Sequence, residues 1–218
     1  IDAAHKLTIM ASIAFGMPMQ FEQAYTEGIT QLTTQDIQYA AELGYRVKLL
    51  GISKLTAEGV ELRVHPTLIP EKRLIANVDG AMNAVVVKGD AVGPTLYYGA
   101  GAGAEPTASA VVADLVDIAR LQGTVQAQRV AYLGYQLDQQ HPRAILPIAS
   151  IQSAYYLRMR VLDQPGVMAA VTKILADQQI SIDAMLQKEP QEGETEANIV
   201  ILTHVTREAT IDAAIASI

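Results

Sequence analysis

The chain has no cysteine, no tryptophan and only 2 phenylalanines, and nowhere does it carry a block of basic residues. Without cysteine there are no disulfides and no thiolate metal sites, a composition that suits the cytoplasm. Without a basic block, and with a net charge of −7, the sequence offers no footprint for nucleic acid or an anionic membrane. A long hydrophobic run is also missing. The uncharged stretch from Leu7 to Phe21 is interrupted by Gly16 and Pro18 and is shorter than the ~20 residues that span a bilayer. No positively charged stretch precedes it, so it does not resemble a signal peptide. His5, His65, His141 and His204 are scattered at no metal-ligand spacing, and no P-loop, nucleophile elbow or zinc motif occurs. What is present is apolar mass: 50% hydrophobic residues over 218 positions support one large domain or two modest ones.

The most informative stretch is Tyr98-Gly99-Ala100-Gly101-Ala102-Gly103-Ala104-Glu105-Pro106, which joins the apolar strand Thr95–Tyr98 to an apolar helix over Thr107–Arg120. Pro106 is expected at the first helical position. Alternating Gly and Ala lets backbone N–H groups converge on one point, and the following helix N-terminus favours an anion. The same residues also fit a tight strand-to-helix connection whose glycines only relieve crowding. The Gly-x-Gly-x-Gly spacing is not that of a Rossmann fingerprint.

Around this turn the patterning predicts helices over Asp2–Phe15, apolar nearly all round and so expected to be buried, and over Thr34–Leu43, capped by Thr33 or Thr34 and followed by Gly44. A hairpin pairs Tyr45–Leu55 with Val60–Leu68 through Ala57-Glu58-Gly59, and a further strand covers Met82–Lys88 before the turn Gly89–Gly93. The first 120 or so residues are therefore α+β, with a mixed, mostly antiparallel sheet. Gln122–Ser153 is glutamine-rich with weak periodicity and serves as a connector. From Tyr155 the pattern sharpens. Leu157, Met159 and Val161 alternate with Arg158 and Arg160, giving a strand with one buried and one wet face. Val167, Ala170, Val171, Ile174 and Leu175 follow helical spacing, Ile180–Leu186 and Ala197–Val205 are strands, and Arg207–Ile218 is a helix with Ile211, Ala214, Ile215 and Ile218 inward. Glu189, Glu192, Glu194 and Glu196 are expected in a solvated loop. The order β-α-β-β-α lacks only a final strand for a ferredoxin-like unit. Ile1 is not a methionine and Ile218 falls inside a helical pattern, so the chain is expected to be a piece of a longer polypeptide.

Two groups of residues could carry chemistry. Asp2 and Lys6 are one helical turn apart and share a face. Such a pair is a surface ion pair in most proteins. Here the lysine precedes a strongly apolar helix, and a lysine at the lip of an apolar surface can bind an anion or transfer a proton. The neighbouring carboxylate favours its protonated form, which suits a proton donor. The second group is Asp163-Gln164-Pro165-Gly166, which opens a helix beside exposed N–H groups. It is either a Pro-Gly turn with an Asp end-cap or a place for a small ligand's carboxylate.

Together these residues resemble a homoserine dehydrogenase over essentially the whole chain. The segments that carry the likeness are Ile1-Asp2-Ala3-Ala4-His5-Lys6, which matches the end of a Gly-x-Asp-x-x-x-Lys signature, Leu43–Leu50, Val64–Pro70 and Gly99–Leu115, the last being the most specific. The terminal unit resembles an ACT domain, a module that binds amino acids for feedback control, with its Asp-x-Pro-Gly corner at Asp163, Pro165 and Gly166. The resemblance implies a catalytic and dimerisation domain over 1–121, a connector over 122–153 and an ACT domain over 154–218. It implies interconversion of L-homoserine and L-aspartate 4-semialdehyde with NAD(P), in the cytoplasmic biosynthesis of threonine, methionine and isoleucine. Lys6 would be the catalytic proton donor and acceptor, Asp2 the carboxylate that holds the homoserine amino group, and Gly101 and Gly103 part of the loop that meets the cofactor. The nucleotide-binding domain, a substrate-binding glutamate and the residues of a monovalent-cation site would lie before Ile1. An amino-acid effector, L-threonine, would bind the ACT corner, and the subunits would form a homodimer or tetramer. The competing reading is a non-catalytic module that senses an amino acid and assembles subunits of another ACT-bearing enzyme.

Overall fold

The computed structural model describes residues 1–125, 134–188 and 195–218. Helix α1 (Asp2–Phe15) forms as the sequence predicts and is ended by Gly16 in the left-handed conformation, φ 60°. Its buried face is narrower than expected. Ala4, Leu7 and Ala11 pack against the sheet, whereas Ile9, Met10 and Ile13 stay exposed. The reason lies outside the helix: nothing among the described residues covers its second apolar side.

The sheet beneath α1 has the order β1-β3-β2, built from β1 (Tyr25–Thr26), β2 (Tyr45–Leu55) and β3 (Val60–Pro70). Strands β2 and β3 form the expected antiparallel hairpin, from Tyr45 opposite Pro70 to Leu55 opposite Val60. The short β1 adds in parallel on the other side, Tyr25 opposite Arg63, and makes the sheet mixed. Alternation along β3 sends Leu62 and Val64 toward α1 and sends Glu61, Arg63 and His65 to the opposite face. That opposite face is also buried, so Glu61 and Arg63 form an interior ion pair at 3.3 Å. Helix α2 (Thr34–Glu42) packs on β2 and opens with a capping box. The Thr33 hydroxyl accepts from the Asp36 N–H, and Asp36 accepts from the Thr33 N–H at 2.9 Å.

Strands β4 (Met82–Gly89) and β5 (Gly93–Ala100) make a separate two-stranded sheet, with Met82 opposite Ala100. Helix α3 (Ala104–Leu121) follows directly and has no buried residue. Pro106 occupies its third position, not the first, because Gly103 is the N-cap and the helix begins at Ala104. A proline anywhere in the first turn removes no intrahelical hydrogen bond, so the sequence signal is satisfied two residues later than expected.

The segment after α3 returns to the first sheet. The Val60 N–H donates to the Ala144 carbonyl at 2.8 Å, the Leu146 N–H donates to the Val60 carbonyl at 2.9 Å, and Ile145 joins the core under α1. This contact leaves no room beside Gly59. A Cβ placed there would lie 2.5 Å from the Ala144 carbonyl oxygen. Gly59→Ala is therefore expected to lower stability by about 1–3 kcal/mol, read as a shifted urea midpoint with unchanged slope.

The C-terminal unit comprises β6 (Gln152–Ser153), β7 (Tyr156–Leu162), α4 (Val167–Asp177), β8 (Ile182–Gln187), β9 (Glu196–Thr203), β10 (Thr206–Arg207) and α5 (Glu208–Ile215). Its sheet order is β7-β9-β8, all antiparallel, which is the ferredoxin-like arrangement of a βαββα unit. The core joins Val171 and Leu175 of α4 and Ile211 and Ala214 of α5 to Ile199 and Ile201 of β9, with Leu157, Met159 and Val161 packed against them. Ile215 and Ile218 are exposed rather than inward, since α5 stops at Ile215. Glu196 lies in β9 and pairs with Arg160, so it is not part of a loop; Glu189, Glu192 and Glu194 lie outside the described residues. The face of β7 expected to be wet is partly covered, because Arg158 and Tyr156 meet the N-terminus of α2.

Candidate functional site

The one-turn spacing of Asp2 and Lys6 brings their charges together: Lys6 Nζ lies 2.8 Å from Asp2 Oδ2. Both are well exposed, with side chains 65% and 81% accessible for Lys6 and Asp2. The Lys6 ammonium beside Asp2 holds its carboxyl below the usual carboxylate range. On a 3.6-residue helix Asp2, Lys6, Ile9, Met10 and Ile13 share one face, so the ion pair heads the apolar stripe that α1 leaves uncovered. Next to it the His5 and Phe21 rings stack at 4.2 Å between centroids.

The glycine turn runs from the end of β5 into α3. Gly103, the α3 N-cap, has φ 128°, a conformation that side chains resist, and no side chain caps the helix. At Gly101 a Cβ would come within 2.5 Å of Asn83 Nδ2, so the space beside this glycine belongs to the neighbouring strand. No hydrogen bond or ion pair among the described residues joins this turn to Asp2 or Lys6.

In the C-terminal unit, Gly166 is the N-cap of α4, and Asp163 does not cap the helix through its side chain. The Asp163 N–H instead donates to the Thr195 carbonyl at 2.9 Å, tying the corner to the start of β9. Asp163, Pro165 and Gly166 are all exposed. They therefore form a surface corner remote in sequence and in hydrogen bonding from the Asp2–Lys6 pair.

A profile of the homoserine dehydrogenase family matches residues 1–116. A homoserine dehydrogenase of Pseudomonas aeruginosa is 56% identical over 218 residues, 100% of this chain and 50% of its own length. The chain belongs to the homoserine dehydrogenase family. Another member, from Neisseria gonorrhoeae, is 57% identical over 217 residues, again covering 50% of that protein. A crystal structure of a homoserine dehydrogenase from Thiobacillus denitrificans superposes with a TM-score of 0.91 at 65% identity, covering 99% of this chain and 48% of that one. Residues 155–218 match the ACT domain profile. The chain thus spans about half the length of the relatives it matches, and its ACT domain is the C-terminal unit described above.

A further constellation links the two regions, and sequence reading did not single it out. Asp36, 6% exposed, accepts from Arg158 Nε at 2.5 Å and from the Tyr156 hydroxyl at 2.9 Å. Burial pushes its carboxyl up, but Arg158, Thr33 and Tyr156 donate enough hydrogen bonds to hold it at about 2. Glu42 of α2 pairs with Lys188, whose ammonium also lies over the Tyr39 ring at 5.2 Å. Beside this junction a cavity of about 540 Å³ opens between β3 and the ACT unit, lined by Arg63, His65, Tyr155 and Glu208 among others. The capping-box spacing was a visible signal for Asp36, but nothing local marks it as a junction residue.

Proposed function

We propose that this chain is the substrate-binding half, with its regulatory domain, of an NAD(P)-dependent homoserine dehydrogenase that interconverts L-homoserine and L-aspartate 4-semialdehyde. The observation that carries the reading is the Asp2–Lys6 pair at the head of an uncovered apolar stripe on α1. An exposed stripe of this kind is the wall of a cleft whose other side lies in the part of the relatives that this chain does not span. Asp2 holds the amino group of the substrate. Lys6 gives a proton to the carbonyl oxygen of the semialdehyde as the carbonyl carbon is reduced, and takes it from the hydroxyl in the reverse direction. The nicotinamide, when bound, supplies or accepts the hydride.

The glycine turn fits a dinucleotide in chemistry. It presents an α3 N-terminus with no side-chain cap, and Gly103 keeps a backbone shape that a side chain would strain. Gly101 and Gly103 are accordingly the residues assigned to the cofactor's edge. Any monovalent cation would be held by residues outside this chain. In the ACT domain Asp163, Pro165 and Gly166 form the effector corner, with L-threonine as the effector in a cytoplasmic pathway to threonine, methionine and isoleucine. The isolated β4–β5 hairpin, with Val85, Val86, Val87, Tyr97 and Tyr98 exposed, favours subunit association in a homodimer or tetramer. The boundaries 1–121, 122–153 and 154–218 are the domain limits of this reading. No helix among the described residues is long and apolar enough to cross a membrane.

The full-length enzyme is expected to reduce NAD(P)+ in the presence of L-homoserine, and the 218-residue piece alone is expected to show neither turnover nor tight nucleotide binding. Steady-state absorbance of NAD(P)H measures turnover, and calorimetric titration with NAD(P)+ measures nucleotide binding. Turnover by the piece alone, or none by the full-length enzyme, contradicts the assignment.

A further inference from the structure

The face of β3 turned away from α1 holds a nearly buried cation with an unmet need. Arg63 is 9% exposed. Its Nη1 donates to His65 Nε2 at 2.7 Å, and its Nη2 lies 3.3 Å from Glu61 Oε2. His65 Nδ1 lies 2.9 Å from the Pro66 carbonyl oxygen, so the neutral Nδ1–H tautomer satisfies both of its contacts. Among the described residues Arg63 Nε has no acceptor, and it has almost no exposed surface of its own, so a ligand would meet the guanidinium through the Nη hydrogens that His65 and Glu61 leave free. A buried donor without a partner is costly, and a guanidinium is matched best by the two oxygens of a carboxylate.

Arg63 lines the cavity of about 540 Å³ beneath the ACT domain. The charges around that space restrict what can enter. Two arginines, Arg63 and Arg158, face four carboxylates, Glu27, Asp36, Asp183 and Glu208. Asp36 is consumed by Arg158, Tyr156 and Thr33. Glu27 and Glu208 each accept one phenol hydroxyl, from Tyr25 at 3.0 Å and Tyr155 at 2.8 Å, and a carboxylate has lone pairs for further donors. Burial, followed by the bonded glutamate, pushes the Tyr25 phenol up to about 12, and the same two causes raise Tyr155, so both remain donors. A plain anion would satisfy Arg63 but meet an excess of negative charge. A plain cation would leave Arg63 unmet. A zwitterion answers both.

We propose that this cavity is a second amino-acid site, distinct from the Asp163–Gly166 corner, in which Arg63 takes the α-carboxylate and Glu27 and Glu208 take the α-ammonium. The volume falls in the range of small-ligand pockets. Arg63 and Glu27 belong to the first sheet and its flank, and Glu208 belongs to the ACT unit, so a bound amino acid bridges the two. Occupancy thereby tightens the same junction that Asp36 and Arg158 hold.

The test is calorimetric titration of the full-length protein with each proteinogenic L-amino acid and L-homoserine, with propionate and inorganic phosphate as single-charge controls. At least one amino acid is expected to bind more tightly than either control. Its Kd is expected to survive Asp163→Ala and to weaken by about tenfold or more in Glu27→Gln/Glu208→Gln and in Arg63→Met. Arg63→Met can fail to fold because the buried Glu61 then keeps only Lys54 as a charged partner; the glutamine pair, on exposed or half-exposed positions, then decides alone. The proposal is overturned by any of three results: no amino acid binds, a control binds as tightly, or the glutamine pair leaves Kd unchanged. Homoserine-dependent turnover is a separate readout, so failure here leaves the dehydrogenase assignment standing.

Discussion

Alanine at position 6 is expected to lower kcat of the full-length enzyme by about 10²–10⁴-fold, the usual worth of a positioned proton donor, with little change in KM for L-homoserine. The split follows from the division of labour on α1. In the proposed mechanism Lys6 acts on the oxygen whose charge develops during reaction, whereas Asp2 holds an amino group that is the same in substrate and product. Folding should be untouched, because the Lys6 side chain is 65% exposed and an exposed pair one turn apart contributes only a few tenths of a kcal/mol. Lys6→Arg keeps the ion pair and the charge, but a guanidinium does not release its proton at working pH. It should therefore lose nearly as much kcat as the alanine variant. Asp2→Ala is the complementary case and should raise KM more than it lowers kcat. A Lys6→Ala enzyme with unchanged kcat would remove Lys6 from the chemistry.

The second large effect belongs to the junction between the α2 N-terminus and the ACT domain. Arg158→Ala leaves Asp36 ionised and 6% exposed with only Thr33 and Tyr156 to hold it. Because the Arg158 side chain is 28% exposed and neutral donors remain on Asp36, its removal is expected to cost about 1–3 kcal/mol, the range for a buried polar group left short of a partner. Urea unfolding at neutral pH should show this loss, and Tyr156→Phe should show a smaller loss of about 1 kcal/mol. The pH dependence has a definite sign. The folded carboxyl is depressed to about 2, below the ~3.9 of an unfolded aspartate. Its contribution is complete above that unfolded value and is lost as pH falls through about 2. The stability gap between wild type and Arg158→Ala should therefore narrow as pH falls toward about 2, where the wild-type carboxylate is itself protonated. A gap that stays constant over that fall would show that Asp36 is not the group Arg158 supports.

Much of the framework could be read from residues near one another in the chain. The Asp2–Phe15 helix, the Thr33 cap, the Ala57-Glu58-Gly59 hairpin and the βαββα order all rest on local spacing, and each is present. The failures share a different cause. Ile9, Met10 and Ile13 read as buried because they are apolar, yet their cover is not among the described residues. Arg158 read as wet because it alternates with Leu157 and Met159, yet a helix 122 positions earlier in sequence lies against it. Strand β1 is two residues long and joins the sheet only through the register Tyr25–Arg63 and Thr26–Val64, which no local pattern announces. The Arg63 cavity is hidden for the same reason: its walls come from β3, the Tyr25–Glu27 segment and α5, and only the fold assembles them.

The most direct measurement is a crystal structure of the full-length enzyme with L-homoserine bound. The substrate hydroxyl should lie about 3 Å from Lys6 Nζ, within hydrogen-bond reach, with its ammonium on the Asp2 carboxylate and its reacting carbon facing the Gly101–Gly103 turn. A substrate bound elsewhere, with Lys6 turned to solvent and another group at the hydroxyl, would contradict the account.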